Sequence, residues 1–219
     1  QYHAMDAGIG KTSKHLWMFS GTGDYERMTD KTATTENLMY GFRDKDYPLF
    51  KKYNHPITLL HGLQKCMDTT GDTQGINCPL TTKAYSRLAR SKKDNGWYIK
   101  LKDFQKVTAE PTISGGLVYF PIFEPSKSAN KCSLGNAFIC AVDDECGKNV
   151  SSQLGKHVKD NECHYVGEGV LSRLVVFANK VFANIAGKST QTKKTDLVVI
   201  DTGMGDVESF RNSWREGNF

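Results

Sequence analysis

The chain has 219 residues, of which 38% are hydrophobic and 11% aromatic, with 29 Lys and Arg against 24 Asp and Glu. That length allows one sizeable domain, and the aromatic share excludes a disordered polymer, because such side chains bury large areas. The net charge of +5 is spread in short runs such as Lys51-Lys52, Arg90 to Lys93 and Lys193-Lys194. Nucleic-acid binding needs a concentrated basic stripe, so these charges mark a solvated surface.

Short apolar runs dominate the chain from its beginning. Leu16 to Phe19 precedes a Gly-Thr-Gly turn at 21–23, and Leu38 to Phe42 ends in Asp44. After an interruption, Trp97-Tyr98-Ile99 leads to Pro111-Thr112-Ile113, the turn Gly115-Gly116, the run Leu117 to Phe123, and Ala137 to Val142 ending at Asp143. A third region holds Leu174 to Phe177, the turn Ala178-Asn179-Lys180, Val181 to Ala183, and Leu197 to Ile200 ending at Asp201. The runs are rich in Val, Ile, Phe and Tyr and are bounded by turn residues, the composition of strands. The second and third regions align about 60 residues apart, with Val118 matching Val181 and Val142-Asp143 matching Ile200-Asp201. Repeated units of this kind predict propeller blades, with a β-sandwich as the structural alternative.

The stretch from about 56 to 95 differs. Ile57, Leu59, Leu60, Leu63 and Met67 fall near helical spacing, as do Ala84, Leu88 and Ala89 behind the capping pair Thr81-Thr82. It predicts a partly helical insertion whose polar loop, Asp68 to Asn77, is closed by a Cys66–Cys78 disulfide. The other four cysteines, Cys132, Cys140, Cys146 and Cys163, leave three pairings open. Cys140 and Cys146 flank the turn Asp143-Asp144, which favours their pairing and leaves Cys132 to Cys163. An even count without CxxC suggests disulfides in an oxidising compartment rather than zinc.

Catalytic patterns fail one by one. Gly10-Lys11-Thr12 resembles the end of a phosphate-binding loop, but Met5 stands where its first glycine belongs. Gly21-Thr22-Gly23 has Glu26 at the third position of a dinucleotide fingerprint. There is no GxSxG elbow, and His3, His15, His55, His61, His157 and His164 have no ligand spacing. Two loops carry hard-oxygen ligands suited to Ca²⁺: Asp201, Asp206 and Glu208, and, inside the Cys66–Cys78 loop, Asp68, Thr70 and Asp72. Turn-forming Asp and Gly also explain both loops without metal.

Several segments, taken in order, resemble one family. LWMFSGTGDYER at Leu16 to Arg27 and NLMYGFRD at Asn37 to Asp44 are similar to its paired opening strands. GWYIKL at Gly96 to Leu101, TAEPTISGGLVYFPIFEP at Thr108 to Pro125, and Cys132 with Ala137 to Gly147 follow its later strands. VGEGVLSRLVV at Val166 to Val176 and SWRE at Ser213 to Glu216 resemble its last blade and ending. The set is similar to the C-terminal propeller of the type IV pilus tip-adhesin and biogenesis family (PilC/PilY). The resemblance implies an incomplete C-terminal portion of a modified β-propeller across 1–219, which with the insertion read from spacing makes the expected fold all-β with a helical insertion. It also implies a non-enzymatic protein of the bacterial surface and pilus tip that supports pilus assembly, adhesion and twitching motility. Partners would be minor pilins, a host or surface receptor, and an upstream propeller part or second chain that completes the ring. No nucleic acid and no membrane-spanning segment are expected. Some family members bind calcium in a propeller loop, and the insertion at Pro56 to Asn95, which lacks the resemblance, is the natural contact surface. A secreted quinoprotein-like dehydrogenase, whose repeats also end in an Asp-turn-Gly segment as Asp143 to Gly147 does, is the rival. A purely structural pilus cap is the other.

Overall fold

Two-residue turns with both central residues at positive φ match the right-handed twist of the strands they join. Among the described residues are two such turns, Gly115-Gly116 (φ 62° and 81°) and Ala178-Asn179 (φ 47° and 60°). Each closes a hairpin in the computed structural model, which describes residues 3–11, 13–23, 37–44, 47, 63–65, 96–102, 104–126, 134–154, 163–189 and 196–203. Within these residues the secondary structure is thirteen strands and a 3₁₀ turn at Ser151–Leu154.

The strands form three successive antiparallel units. The first joins β1 (Asp6–Ile9), β2 (Leu16–Gly21), β3 (Leu38–Asp44) and, later in the chain, β5 (Gly96–Lys100), in that spatial order. β4 (Leu63–Lys65) adds to the far edge of β5 in parallel. The second unit is β7 (Thr112–Ser114), β8 (Leu117–Glu124), β9 (Asn136–Asp143) and β10 (His164–Leu171). The third is β11 (Val175–Phe177), β12 (Lys180–Ser189) and β13 (Leu197–Asp201). Units are stitched by strands that cross over: β6 (Lys106–Val107) pairs with the second half of β8, and β10 pairs with the second half of β12. The result is a partial β-propeller.

The internal repeat is a repeat of register. Val118 lies opposite Val142 as Val181 lies opposite Ile200, and Leu117 opposite Asp143 as Lys180 opposite Asp201. The turns agree as well. The Gly116 carbonyl accepts the Asp144 N–H at 3.2 Å, and the Asn179 carbonyl accepts the Thr202 N–H at 2.9 Å.

Burial explains why the second unit carries near-continuous apolar runs. One face of β8 and β9, with Val118, Phe120, Ile122, Cys140 and Val142, packs against Trp17, Phe19, Met39, Trp97 and Ile99 of the first unit. The other face, with Tyr119, Ile139 and Ala141, packs against Val181, Ala183, Ile185, Val198 and Ile200 of the third. A strand covered on both sides has no reason to alternate with polar residues. Pro121 fits mid-strand because its carbonyl, and so its missing N–H, points away from β9 toward the gap between β7 and β6, where Thr108 N–H donates to that carbonyl at 3.4 Å.

The crossing of β10 and β12 is closer than side chains permit. Gly169 (φ 130°) lies opposite Gly187 (φ 152°), and a Cβ on either would meet the other strand's backbone at 2.3 or 2.2 Å. This removes any obstacle to the hand-over from the second unit to the third.

Two expectations are corrected here. The described part of the segment expected to be helical, Leu63–Lys65, is strand β4. Pairing with the open edge of β5 satisfies its backbone, and such a gain overrides the helical spacing of a short apolar run. The rest of the insertion, including Cys66 and Cys78, lies outside the described residues, as does Cys132. The pairing of Cys140 with Cys146, and of Cys132 with Cys163, is replaced by a Cys140–Cys163 disulfide with Cα atoms 4.7 Å apart. His164 lies opposite Ile139, so Cys163 and Cys140 are the next facing pair across β9 and β10. Cys146 is instead buried at the acidic turn.

Candidate functional site

The polar chemistry that the sequence singles out converges where the first unit meets the second. After β9 the chain turns at once: Asp143 Oδ1 accepts the N–H of Glu145 at 3.0 Å and of Cys146 at 3.1 Å, and the Cys146 thiol at 3.3 Å. This Asx-type geometry is what an Asp at a tight turn is suited to make. It turns Asp144 and Glu145 inward, to 3% and 1% exposure.

Both inward residues are held by the first unit. The Trp97 indole N–H donates to the Asp144 carbonyl at 2.9 Å. The Trp97 ring lies against Gly147 (φ 67°), where a Cβ would come within 2.6 Å of it, so any larger residue would lift the ring away. Glu145 Oε1 accepts the Ser13 N–H at 2.8 Å and the Ser13 hydroxyl at 3.2 Å, while Ser13 Oγ accepts the Trp17 indole N–H at 3.0 Å. The Gly10-Lys11-Thr12 turn that resembles a phosphate loop therefore leads into a carboxylate contact from within the protein. Its glycine N–H is spent on the His15 carbonyl at 2.9 Å. Four hydrogen bonds thus link two tryptophans, a serine and an acidic turn into a clamp between units. Charge-assisted bonds of this sort, in a dry setting, are stronger than neutral ones.

A second polar group lies where the first strands of the units, β1, β7 and β11, run beside one another. Asp6 Oδ2 accepts the Ile113 N–H at 3.1 Å, and the Thr112 hydroxyl donates to the Leu174 carbonyl at 2.7 Å. Arg173 and Glu110 form an ion pair at 2.6 Å. Burial lowers the pKa of His3, and the Glu110 carboxylate offsets this only in part. His164, beside the disulfide, is likewise held below its ordinary range by burial. All these contacts tie inner strands to each other.

The two calcium loops divide differently. Asp201 ends β13, with its Oδ1 on Lys180 Nζ at 2.7 Å. Asp206 and Glu208, and Asp68, Thr70 and Asp72 of the second loop, lie outside the described residues. Among the described residues, no group of three or more His, Cys, Asp or Glu is placed to hold a metal.

Sequence reasoning did not identify the tryptophans as partners of the acidic turn. The available signal was scarcity: with 3 Trp in the chain, two stand in strands beside polar turns. Indoles with a donor to place are suited to such a seam.

Comparison with known proteins places this arrangement. No protein-family profile matches the chain. No curated protein matches it in sequence. Among solved structures, it is similar to the crystal structure of the Pseudomonas aeruginosa PilY1 C-terminal domain, with a TM-score of 0.52 and 13% identity. The match covers 92% of this chain and 45% of that one, so the chain spans less than half of that domain's length. The resemblance drawn from the ordered motifs is borne out at the level of fold.

Proposed function

We propose that this chain is part of a non-enzymatic, surface-exposed β-propeller that supports type IV pilus assembly, with adhesion and twitching motility as its outputs. The observation that carries the reading is the likeness of fold to the PilY1 C-terminal domain over nearly the whole chain. The ordered motifs from Leu16 to Glu216 support it independently.

The polar geometry favours binding over catalysis. The Asp143-to-Gly147 turn, which suggests a quinoprotein repeat, holds the Asp143 carboxylate in hydrogen bonds of its own and directs that of Glu145 to Ser13 of the first unit. Such bonds consolidate a scaffold, and scaffolds of this sort present loops. The insertion at Pro56 to Asn95 is the proposed contact for minor pilins or for a surface receptor, and the chain's setting is the extracellular face of the cell at the pilus tip. Calcium in the Asp68–Asp72 or Asp201–Glu208 loop belongs to the same proposal. Among the described residues no helix is long and apolar enough to cross a membrane.

Deleting the gene in its host tests the reading. Loss of surface pili and of twitching, both restored by re-expression, is the expected result. A deletion strain that assembles pili and twitches normally contradicts it. Re-expression without residues 56–95 should restore pili but not attachment to coated beads.

A further inference from the structure

We propose that the outer part of the second unit carries a saccharide-binding site, built from Tyr165, Phe138, Asn136, Glu168 and Glu124. The inference rests on the sheet geometry and not on the pilus role.

Register brings these side chains together. Tyr165 of β10 lies opposite Phe138 of β9, and Glu168 lies opposite Asn136. Asn136 lies in turn opposite Glu124 of β8. Facing residues of paired strands share a side, and so do residues two apart on one strand, so all of them project from one face. On the other flank of Glu168, the next residue in register is Lys188 of β12. This is the face whose inner part, with Cys140 and Val142, is buried against the first unit. The second unit has a neighbouring sheet on either side, yet this outer part stays open. Tyr165 is 42% exposed, Glu168 is exposed, and Phe138, Asn136 and Glu124 are half-buried.

The chemistry left uncommitted there suits a sugar. Among the described residues, the Tyr165 hydroxyl, the Asn136 amide and the Glu168 carboxylate have no hydrogen-bond partner, and Glu124 accepts from the Gln105 amide at 2.8 Å through one oxygen. Carboxylates accept from hydroxyls, and an amide both accepts and donates, so the row can bind the vicinal hydroxyls of a pyranose. The aromatic ring supplies the other half of the recognition, because its negative face attracts the C–H edges of a sugar ring. The Tyr165 and Phe138 rings touch, with centroids 5.5 Å apart and planes tilted by 58°, so Phe138 supports the more exposed ring. The polar row begins about 7 Å further along the strands, and its members are about 4.8 Å apart, close to the length of one pyranose unit. A protein partner would call for a contiguous apolar centre, which a single open ring beside a polar row does not provide.

The site is also held rigid. The Cys140–Cys163 disulfide pins β10 to β9 beside the two rings. A bulge between Tyr165 and Gly167 follows at once, and bulges next to functional sites re-aim side chains. Groups carried on paired strands keep their geometry better than groups on loops.

A glycan array probed with the purified chain tests the proposal, followed by titration calorimetry with the strongest uncharged oligosaccharide. The expected result is saturable binding of an uncharged oligosaccharide. Tyr165→Ala and Asn136→Ala should each weaken it by at least about tenfold. Tyr165→Phe keeps the stacking face and should retain most of the affinity. Unchanged thermal unfolding of the variants separates loss of binding from loss of fold, and the exposed Glu168→Ala replaces Tyr165→Ala if that variant folds poorly. A silent array would overturn the proposal. So would hits confined to sulfated or sialylated glycans, which a chain of net charge +5 attracts without a built site. Binding that survives both Tyr165→Ala and Asn136→Ala, or Tyr165-dependent capture of pilin peptides in place of any glycan, would overturn it equally. Pili and twitching are not read in this assay, so its failure leaves the pilus proposal standing.

Discussion

Glu145 is the residue on which the seam between the first two units depends. It is a buried carboxylate that receives two hydrogen bonds from Ser13. Truncating it to Ala leaves the half-buried Ser13 donors without their acceptor, so Glu145→Ala should cost about 1–3 kcal/mol of stability in urea unfolding. Glu145→Gln keeps an acceptor oxygen and should lose about half as much. A Glu145→Ala variant as stable as wild type would show that the clamp is incidental. Tyr119 poses the opposite case. It is fully buried and its hydroxyl has no hydrogen-bond partner among the described residues. Burial raises its pKa above the ordinary 10.0. The unfolded chain releases this proton near pH 10 while the folded chain retains it, so the native state binds more protons there and stability falls as pH rises past 10. Tyr119→Phe should stabilise by about 1 kcal/mol at neutral pH and flatten that alkaline decline. Thermal melts between neutral and alkaline pH read both effects, and a destabilised Tyr119→Phe variant would reveal a partner for the hydroxyl.

At the scale of elements, the disulfide joins β9 to β10 across 23 residues of sequence. Loop closure of that length corresponds to about 3 kcal/mol, so Cys163→Ser should lower stability by roughly that amount in denaturant titration. If Cys163→Ser and wild type unfold together under oxidising conditions, the bridge does not form. Strand legibility followed local chemistry. Gly115-Gly116 and Ala178-Asn179 announced their hairpins, and the matches of Val118 to Val181 and of Val142-Asp143 to Ile200-Asp201 survived into the register. What failed to show in the sequence depended on partners far away in the chain. Asp6–Ile9 has no strand-forming run of its own and extends only through pairing with β2. Leu63–Lys65 has a helical spacing but an available strand edge. Cys140 lies inside β9 and not at its end, so its partner was fixed by the alignment of β10, which neither spacing nor turn residues disclose. The acidic turn was visible as a motif, yet its purpose depended on Ser13, more than a hundred residues away.

The described residues form three successive units, of which the middle one is buried on both faces. Among the described residues, the second unit therefore carries apolar residues in both directions. Polar groups are placed at the seam between the first two units. The proposal that the chain serves a type IV pilus is tested most directly by cryo-electron microscopy of pili sheared from cells that express the chain. The account predicts density for the three-unit propeller at the filament end, in contact with pilin-like subunits. Pili whose ends lack it, with the chain recovered free in solution and carrying a bound redox cofactor, would contradict the account and favour an enzyme.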